Sequence, residues 1–324
     1  MRVAFVGKGG SGKTTLAALF TRYLAAIGRP VLAIDADINQ HLAQALEAPA
    51  GASPPPLGAH LPEIKEYLRG DNPRITSAAA MVKTTPPGRG SRLVRLGDRD
   101  NALHQRFSTV LPGGARLMVT GPFAADDLGV ACYHSKVGAV ELYLNHLLDG
   151  PDEYVVVDMT AGADSFASGL FTRFDLTFLV AEPSRQGVSV FRQYREHAAE
   201  YGVPVLVVGN KVHDGADVAF LREQVGVDLV ACLRHSPAIR AMERGRPFSL
   251  VDLDPDDVEV LRTLSRHLDA QDKDWARFGR QAIWFHLRNA QTWANRATGQ
   301  DLTAQIDPDY VFGPAQVTTG VQDG

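Results

Sequence analysis

Cysteine is nearly absent from this chain: Cys132 and Cys232 are the only two among 324 residues. Two thiols so far apart exclude a disulfide-stapled scaffold and fit a reducing cytoplasm, the location expected here. Long apolar runs are missing as well. No stretch approaches the roughly eighteen residues of a membrane span, and Met1 leads directly into a core-strand pattern, so neither a spanning helix nor a signal peptide is expected. Positive charge is not in excess. Lys and Arg number 33 against 37 Asp and Glu, giving a net charge of −4 and a pI near 6.2. Such a balance offers no overall basic field for nucleic acid, so DNA is an unlooked-for partner. No internal repeat is visible. What remains is ordinary globular composition, 45% apolar and 22% charged, enough for one large domain or two small ones.

The strongest local signal is Gly7-Lys8-Gly9-Gly10-Ser11-Gly12-Lys13-Thr14-Thr15. From Gly7 to Thr14 it has the form GxxxxGK[ST], in which glycines let backbone N–H groups turn inward around a polyphosphate. Lys13 supplies charge to the β- and γ-phosphates, the Thr14 hydroxyl is placed to ligate Mg²⁺, and Thr15 adds a hydroxyl toward the α-phosphate. A Gly-rich turn with lysines by accident is the bland alternative. Context argues against it, because Arg2–Val6 reads as an apolar strand and Thr14–Ile27 as a helix-period run, the strand–loop–helix setting the motif requires.

Further apolar runs predict strands at Val3–Val6, Val31–Ile34, Arg116–Thr120, Tyr154–Asp158, Leu176–Ala181, Val205–Gly209 and Val227–Ala231. Continuous Val, Leu and Ile mark strands covered on both faces. The fold class expected is therefore α/β: a doubly wound, mostly parallel sheet with helices on both faces and a helical C-terminal extension. Ligands of such sheets gather at the carboxyl ends of the strands. Residues 1–253 form the expected nucleotide domain, with a proline-rich insertion at 49–112 packed on the sheet or serving as a lid. Its one predicted helix is Leu61–Leu68, and its arginines Arg89, Arg92, Arg95 and Arg99 read as a solvated face. Residues 254–298 make the helical extension, and 299–324 a flexible tail. Asp272–Ala297 carries all three tryptophans, Trp275, Trp284 and Trp293. Such an aromatic stripe packs on its own domain or a partner subunit; a membrane-surface helix flanked by arginines is the alternative.

Carboxylates stand where metal and water chemistry needs them. The second strand ends in Asp35-Ala36-Asp37, and a strand-end carboxylate beside a phosphate loop holds Mg²⁺ through water or orients the attacking water. A helix cap is the competing role for either one. Asp158 closes the strand from Tyr154 and is expected in the Mg²⁺ shell. Gly162, four residues on, can offer its N–H to the γ-phosphate and so convert nucleotide state into conformation. Asn210 can pair with an adenine edge, with the Lys211 stem against the ring.

The KGGxGKTT loop resembles the deviant phosphate loops of the MinD/ParA/nitrogenase-iron-protein class of P-loop ATPases. That resemblance implies a homodimer in the ATP state, with Lys8 reaching the partner's nucleotide. It also implies that Asp37 positions water and that Asp35 belongs to the outer Mg²⁺ shell, although Ile38 stands where the class often has proline. An asparagine at the position of Asn210 contacts adenine in the class, and Pro237 with Ala238, Ile239 and Arg240 resembles the segment closing the adenine pocket. Class and spacing together favour ATP over GTP, since Asp214 falls one residue too late for a guanine motif.

Further pieces, His60–Tyr67, Val157–Gly162, Ala181–Ser184, Gly209–Val212 and Arg240–Pro247, resemble CooC-type ATPases, which mature nickel-containing carbon monoxide dehydrogenase. The family's Cys-x-Cys-Pro metal segment is replaced here by Gly129–Lys136, which retains Cys132 and adds His134. A Cys132/His134 pair from each subunit would make a tetrahedral site for nickel or zinc. A packing cysteine beside an exposed histidine is the bland alternative. Three functions follow as expectations: a slowly hydrolysing accessory or maturation ATPase acting on a client or regulator protein, a ParA/MinD-like spatial organiser binding DNA or membrane, or a nucleotide sensor with little turnover.

Overall fold

A computed structural model describes every position except 50, 52, 99, 123–132, 161–165, 167 and 316–324, together with the side chains of 133–135. In chain order its strands are β1 (Arg2–Val6), β2 (Val31–Ala36), β3 (Val94–Arg95), β4 (Thr109–Val110), β5 (Arg116–Val119), β6 (Leu147–Leu148), β7 (Tyr154–Met159), β8 (Leu176–Ala181), β9 (Val205–Val212) and β10 (Leu229–Arg234). The helices are α1 (Lys13–Ala26), α2 (Leu42–Ala45), α3 (Leu61–Arg69), α4 (Ala102–Phe107), α5 (Tyr133–His146), α6 (Arg185–Glu200), α7 (Gly215–Val225), α8 (Pro237–Glu243), α9 (Pro255–Asp269), α10 (Trp275–Asn289) and α11 (Asn295–Thr298).

Among the described residues the main sheet runs β10-β9-β8-β1-β7-β2-β5-β4. Every pairing is parallel except β4 with β5 at one edge. Alternation along β1 shows why the strands are apolar throughout. Val3 and Phe5 face α1 and α9, whereas Ala4 and Val6 belong to the opposite core with α5 and α6. Phe5, Phe20 and Phe178 meet with ring centroids 5.5–6.4 Å apart. Full burial of each such ring stabilises the fold by about 1.5–3 kcal/mol, before entropy is counted.

The predicted strands are all present, Leu176–Ala181 with the bounds expected and the others with shifted ends. The largest shift is in the last: Gly226, at φ +65°, ends α7, and residues 226–228 form a 3₁₀ turn, so β10 begins at Leu229 and leaves Val227 exposed. The short strands β3, β4 and β6 have two residues each and no readable period.

The insertion packs on α5 and on the C-terminal segment, and none of its described residues lines the nucleotide cleft. Arg89 makes a two-bond pair with Asp307, at 2.9 and 3.2 Å, and Arg92 lies over the Tyr67 ring; Arg99 is outside the described residues.

The C-terminal extension is also more ordered than expected. Asp274 accepts from Arg277 N at 2.7 Å and starts α10, which a π turn at Ala290–Ala294 joins to α11. One face of α10 buries Phe278, Ala282 and Phe285 against the body, with Phe285 stacked on Tyr201. The described part of the stretch expected as a loose tail is anchored at several points up to Phe312. Leu302 is fully buried and its carbonyl meets His286 Nε2 at 2.9 Å, while Phe312 packs on Trp275. No helix among the described residues is long and apolar enough to cross a membrane.

Candidate nucleotide site

The loop after β1 lies beside the point where the strand order reverses, with β8–β10 on one side and β7, β2 and β5 on the other. Gly10 and Gly12 adopt φ of +84° and +91°, a left-handed backbone that glycine takes without penalty. A Cβ on Gly12 would also stand 2.1 Å from Asn210 Nδ2, so the position has no room for a side chain. Gly9 and Gly10 face open space on the other side. The loop, the first turn of α1, residues Asp37 to Ala45 and the end of α8 enclose a cleft of about 490 Å³, a volume within the usual range for a small-molecule site.

Three consecutive loop side chains each meet a carboxylate from a different element. Lys13 Nζ lies 2.7 Å from Asp37 Oδ2, the Thr14 hydroxyl donates to Asp158 Oδ2 at 2.6 Å, and the Thr15 hydroxyl donates to Glu243 Oε1 at 2.8 Å. Burial alone would raise Asp37, yet the Lys13 charge and hydrogen bonds from Lys13 and Asn39 leave it below the usual carboxylate range. Burial dominates at Asp158 and pushes it up to about 8 despite the Lys13 charge. Its second oxygen, Oδ1, is buried and has no hydrogen-bond partner among the described residues, as does Ser11 Oγ.

Those orphaned atoms test the fit of a magnesium nucleotide. Hard oxygen donors from Asp158 and Thr14, one carboxylate oxygen unsatisfied, suit Mg²⁺, and the unpartnered Ser11 hydroxyl suits a phosphate oxygen. Asp35 behaves differently from its expected outer-shell role. It is fully buried, with Oδ2 accepting from Leu42 N at 2.9 Å and Oδ1 from Asp37 N at 3.2 Å and Gln40 Nε2 at 3.3 Å. Asp35 thus starts α2 and shapes the turn that carries Asp37; it does not line the cleft. Burial pushes it up to about 7.

The expected base-binding residues brace the loop. Asn210 Nδ2 donates to Ser11 O at 2.7 Å, and Lys211 Nζ to Gly10 O and Glu182 Oε1, both at 2.6 Å. Lys211 does so from φ +58°, a strained conformation that costs a side-chain-bearing residue about 1 kcal/mol or more. Neither residue lines the cleft, nor does Pro237, which opens α8 on the surface. The far end of that helix lines it instead, through Met242 and Glu243, opposite Gln44 and Ala45 of α2. These residues, with Asn39 and His41, escaped sequence reasoning. The run Ala238-Ile239-Arg240 pointed at the right helix, one turn short.

Lys8 is exposed and donates to Gln186 Oε1 of its own chain at 2.6 Å. Gly162 and Cys132 lie outside the described residues, as does the side chain of His134. Among the described residues no group of three or more His, Cys, Asp or Glu is placed to hold a metal ion.

Comparison with known proteins agrees with this geometry. Over 257 residues the chain is 30% identical to the carbon monoxide dehydrogenase accessory protein CooC of Rhodospirillum rubrum, covering 79% of this chain and 91% of that protein. In shape it is similar to the MinC:MinD cell division complex of Aquifex aeolicus, with a TM-score of 0.55, 18% identity and coverage of 84% and 96% of the two chains. Pyrococcus horikoshii MinD, solved with Mg-ADP, gives 0.54, 18%, 83% and 95%. Residues 3–259 match the family described as the CobQ/CobB/MinD/ParA nucleotide binding domain, and the chain belongs to that family of P-loop ATPases.

Proposed function

We propose that this chain is a slowly hydrolysing ATP switch whose two copies close over nucleotide and act on a client protein, in the manner of an accessory or maturation ATPase. The observation that carries this is the row of three acid contacts on Lys13, Thr14 and Thr15. Phosphates entering the loop compete with Asp37 for Lys13. The carboxylate so released stays anchored through Asn39, which donates its N and Nδ2 to Oδ1 at 2.9 and 3.1 Å, and is left free to orient a water. Thr14 and Asp158 would hold Mg²⁺, which when bound supplies charge neutralisation at the β- and γ-phosphates. Because Asp37 belongs to the segment after β2 and Asp158 stands one residue before the end of β7, the same exchange bears on two separate loops. Gly162, three residues past the end of β7, is the proposed γ-phosphate contact on the second. The Asn210 carbonyl oxygen is left for the adenine amine, its amide hydrogens being turned toward Ser11.

Lys8 is proposed to leave Gln186 and reach the partner's nucleotide. The similarity to CooC favours a client over a surface such as DNA or membrane, and Phe278, Ala282 and Phe285 of α10 are already used in packing, with Trp284 left exposed. On the maturation route, Cys132 and His134 of both copies are the proposed nickel or zinc ligands. Retention of one such ion per dimer, lost in Cys132→Ser, supports that assignment; metal-free protein contradicts it. The switch itself is tested by ATP binding and turnover with Mg²⁺ in wild type and Lys13→Ala. Wild type that binds no ATP, or equal turnover in both proteins, overturns it.

A further inference from the structure

The cleft has a phosphate end, built by the loop, and a second end built by α8 and α2. Among the described residues two acidic side chains line it, Asp37 and Glu243. Asp37 is paired with Lys13, whereas Glu243 has no cationic partner among the described residues and touches only the Thr15 hydroxyl. We propose that Glu243 reads the sugar of the bound nucleotide, accepting hydrogen bonds from the ribose 2′ and 3′ hydroxyls. The assignment rests on the ATP-switch reading above and adds to it the residue that recognises the nucleoside.

Chemistry narrows what Glu243 can face. A carboxylate accepts and does not donate, so it repels phosphate oxygens and finds no partner in the ring nitrogens of adenine, which also accept. The donors left on ATP are the two ribose hydroxyls and the adenine amine. Position separates these. Thr15 is placed toward the α-phosphate, and the sugar is the next group along the nucleotide, so a carboxylate one hydrogen bond beyond Thr15 stands at sugar distance. The adenine amine is at the remote edge of the base.

The helix carrying Glu243 is suited to the role. Ile239 and Met242 are buried in the core beneath α8, which fixes the backbone of the last turn. Above it the Glu243 side chain is exposed, with one contact to exchange. When phosphate takes the Thr15 hydroxyl, the carboxylate needs only to turn toward the sugar. Its two oxygens match two neighbouring hydroxyls, as acidic residues do at the ribose in dinucleotide-binding folds. Met242 beside it supplies a soft apolar surface for the adjoining base.

The experiment is a set of titrations with Mg²⁺, using ATP, 2′-deoxy-ATP, 3′-deoxy-ATP and inorganic tripolyphosphate against wild type, Glu243→Gln, Glu243→Ala and Thr15→Ala. Wild type is expected to bind each deoxy analogue about tenfold more weakly than ATP, the usual effect of losing a hydrogen bond to a charged group. Glu243→Ala loses about tenfold or more on ATP, binds ATP and the analogues alike, and is not weakened toward tripolyphosphate. Glu243→Gln, which keeps an acceptor, falls between. Equal affinity of wild type for ATP and both analogues overturns the sugar assignment alone. Discrimination that survives in Glu243→Ala overturns it too, as does a loss in Glu243→Ala matched ligand for ligand by Thr15→Ala, which would mean that Glu243 only holds Thr15. Wild type that binds none of the four overturns the ATP switch and this assignment together.

Discussion

Lys13 Nζ and Asp37 Oδ2 stand 2.7 Å apart at the floor of the cleft, so the cation expected to hold the phosphates is held, in the free chain, by the carboxylate expected to act on water. One contact therefore links nucleotide entry to the segment that follows β2. Asp37→Asn is predicted to bind Mg-ATP at least as well as wild type, because a competitor for Lys13 is weakened. Its turnover falls by about a hundredfold or more, the usual contribution of a positioned base. Single-turnover hydrolysis beside equilibrium binding separates the two effects; a matched loss of both would place Asp37 in binding alone.

Gly12→Ala puts a methyl carbon 2.1 Å from Asn210 Nδ2 at a residue with φ +91°. Either the Asn210 side chain or the loop must then move, and both movements break the Asn210–Ser11 bond while the positive φ strains the new alanine. Nucleotide binding is expected to be lost while the fold survives, as read by calorimetry with ATP and by circular dichroism. Unaltered affinity in this variant would show that the left-handed turn at Gly12 is not needed to bind phosphate.

Two buried groups away from the cleft give stability a pH dependence of opposite signs. Burial pushes Glu141 up to about 7, against the nearby Lys83 and Arg173 charges. A carboxyl raised in the folded state contributes stability that is complete below its unfolded pKa and lost as pH rises toward and past 7. His146 is lowered to about 4, again by burial. Its contribution is present above the unfolded value of about 6.5 and lost as pH falls toward 4. Urea midpoints from about pH 5 to about pH 8 should therefore fall at both ends. Glu141→Gln should flatten the alkaline fall; an unchanged slope there would remove Glu141 as its cause.

Phe285 contacts Phe171, Tyr201 and Trp284, and a Cβ on Gly169 would lie 3.0 Å from its ring. Phe285→Ala is predicted to destabilise the chain by about 3–5 kcal/mol, measured by denaturant unfolding. Because Gly169 follows the segment after β7, the same variant should change the hydrogen exchange of residues 166–172 on adding ATP. A loss under about 1 kcal/mol would mean that the extension is loosely docked.

The sheet was legible because its strands are buried on both faces and show it as unbroken Val, Leu and Ile. The phosphate loop was legible because glycine, lysine and hydroxyl positions are fixed by local geometry. Tertiary closure was not. Met242 and Glu243 reach the cleft because α8 returns to α1, where Glu243 meets Thr15, and although the run from Pro237 marked their helix, nothing in the residues themselves singled out these two. Asp35 and Asp37 differ by two positions and looked alike, yet one caps α2 and the other meets Lys13. The stretch after residue 299 looked loose because it is polar, while three anchors, Leu302, Asp307 and Phe312, hold it.

In the proposed switch, ATP brings two copies together through Lys8. Sedimentation velocity with ATP, with ADP and without nucleotide, on wild type and Lys8→Ala, tests it most directly. Wild type is expected to be a dimer with ATP alone, and Lys8→Ala a monomer under all three conditions. A wild-type monomer in the presence of bound ATP, or a Lys8→Ala dimer equal to wild type, would contradict it.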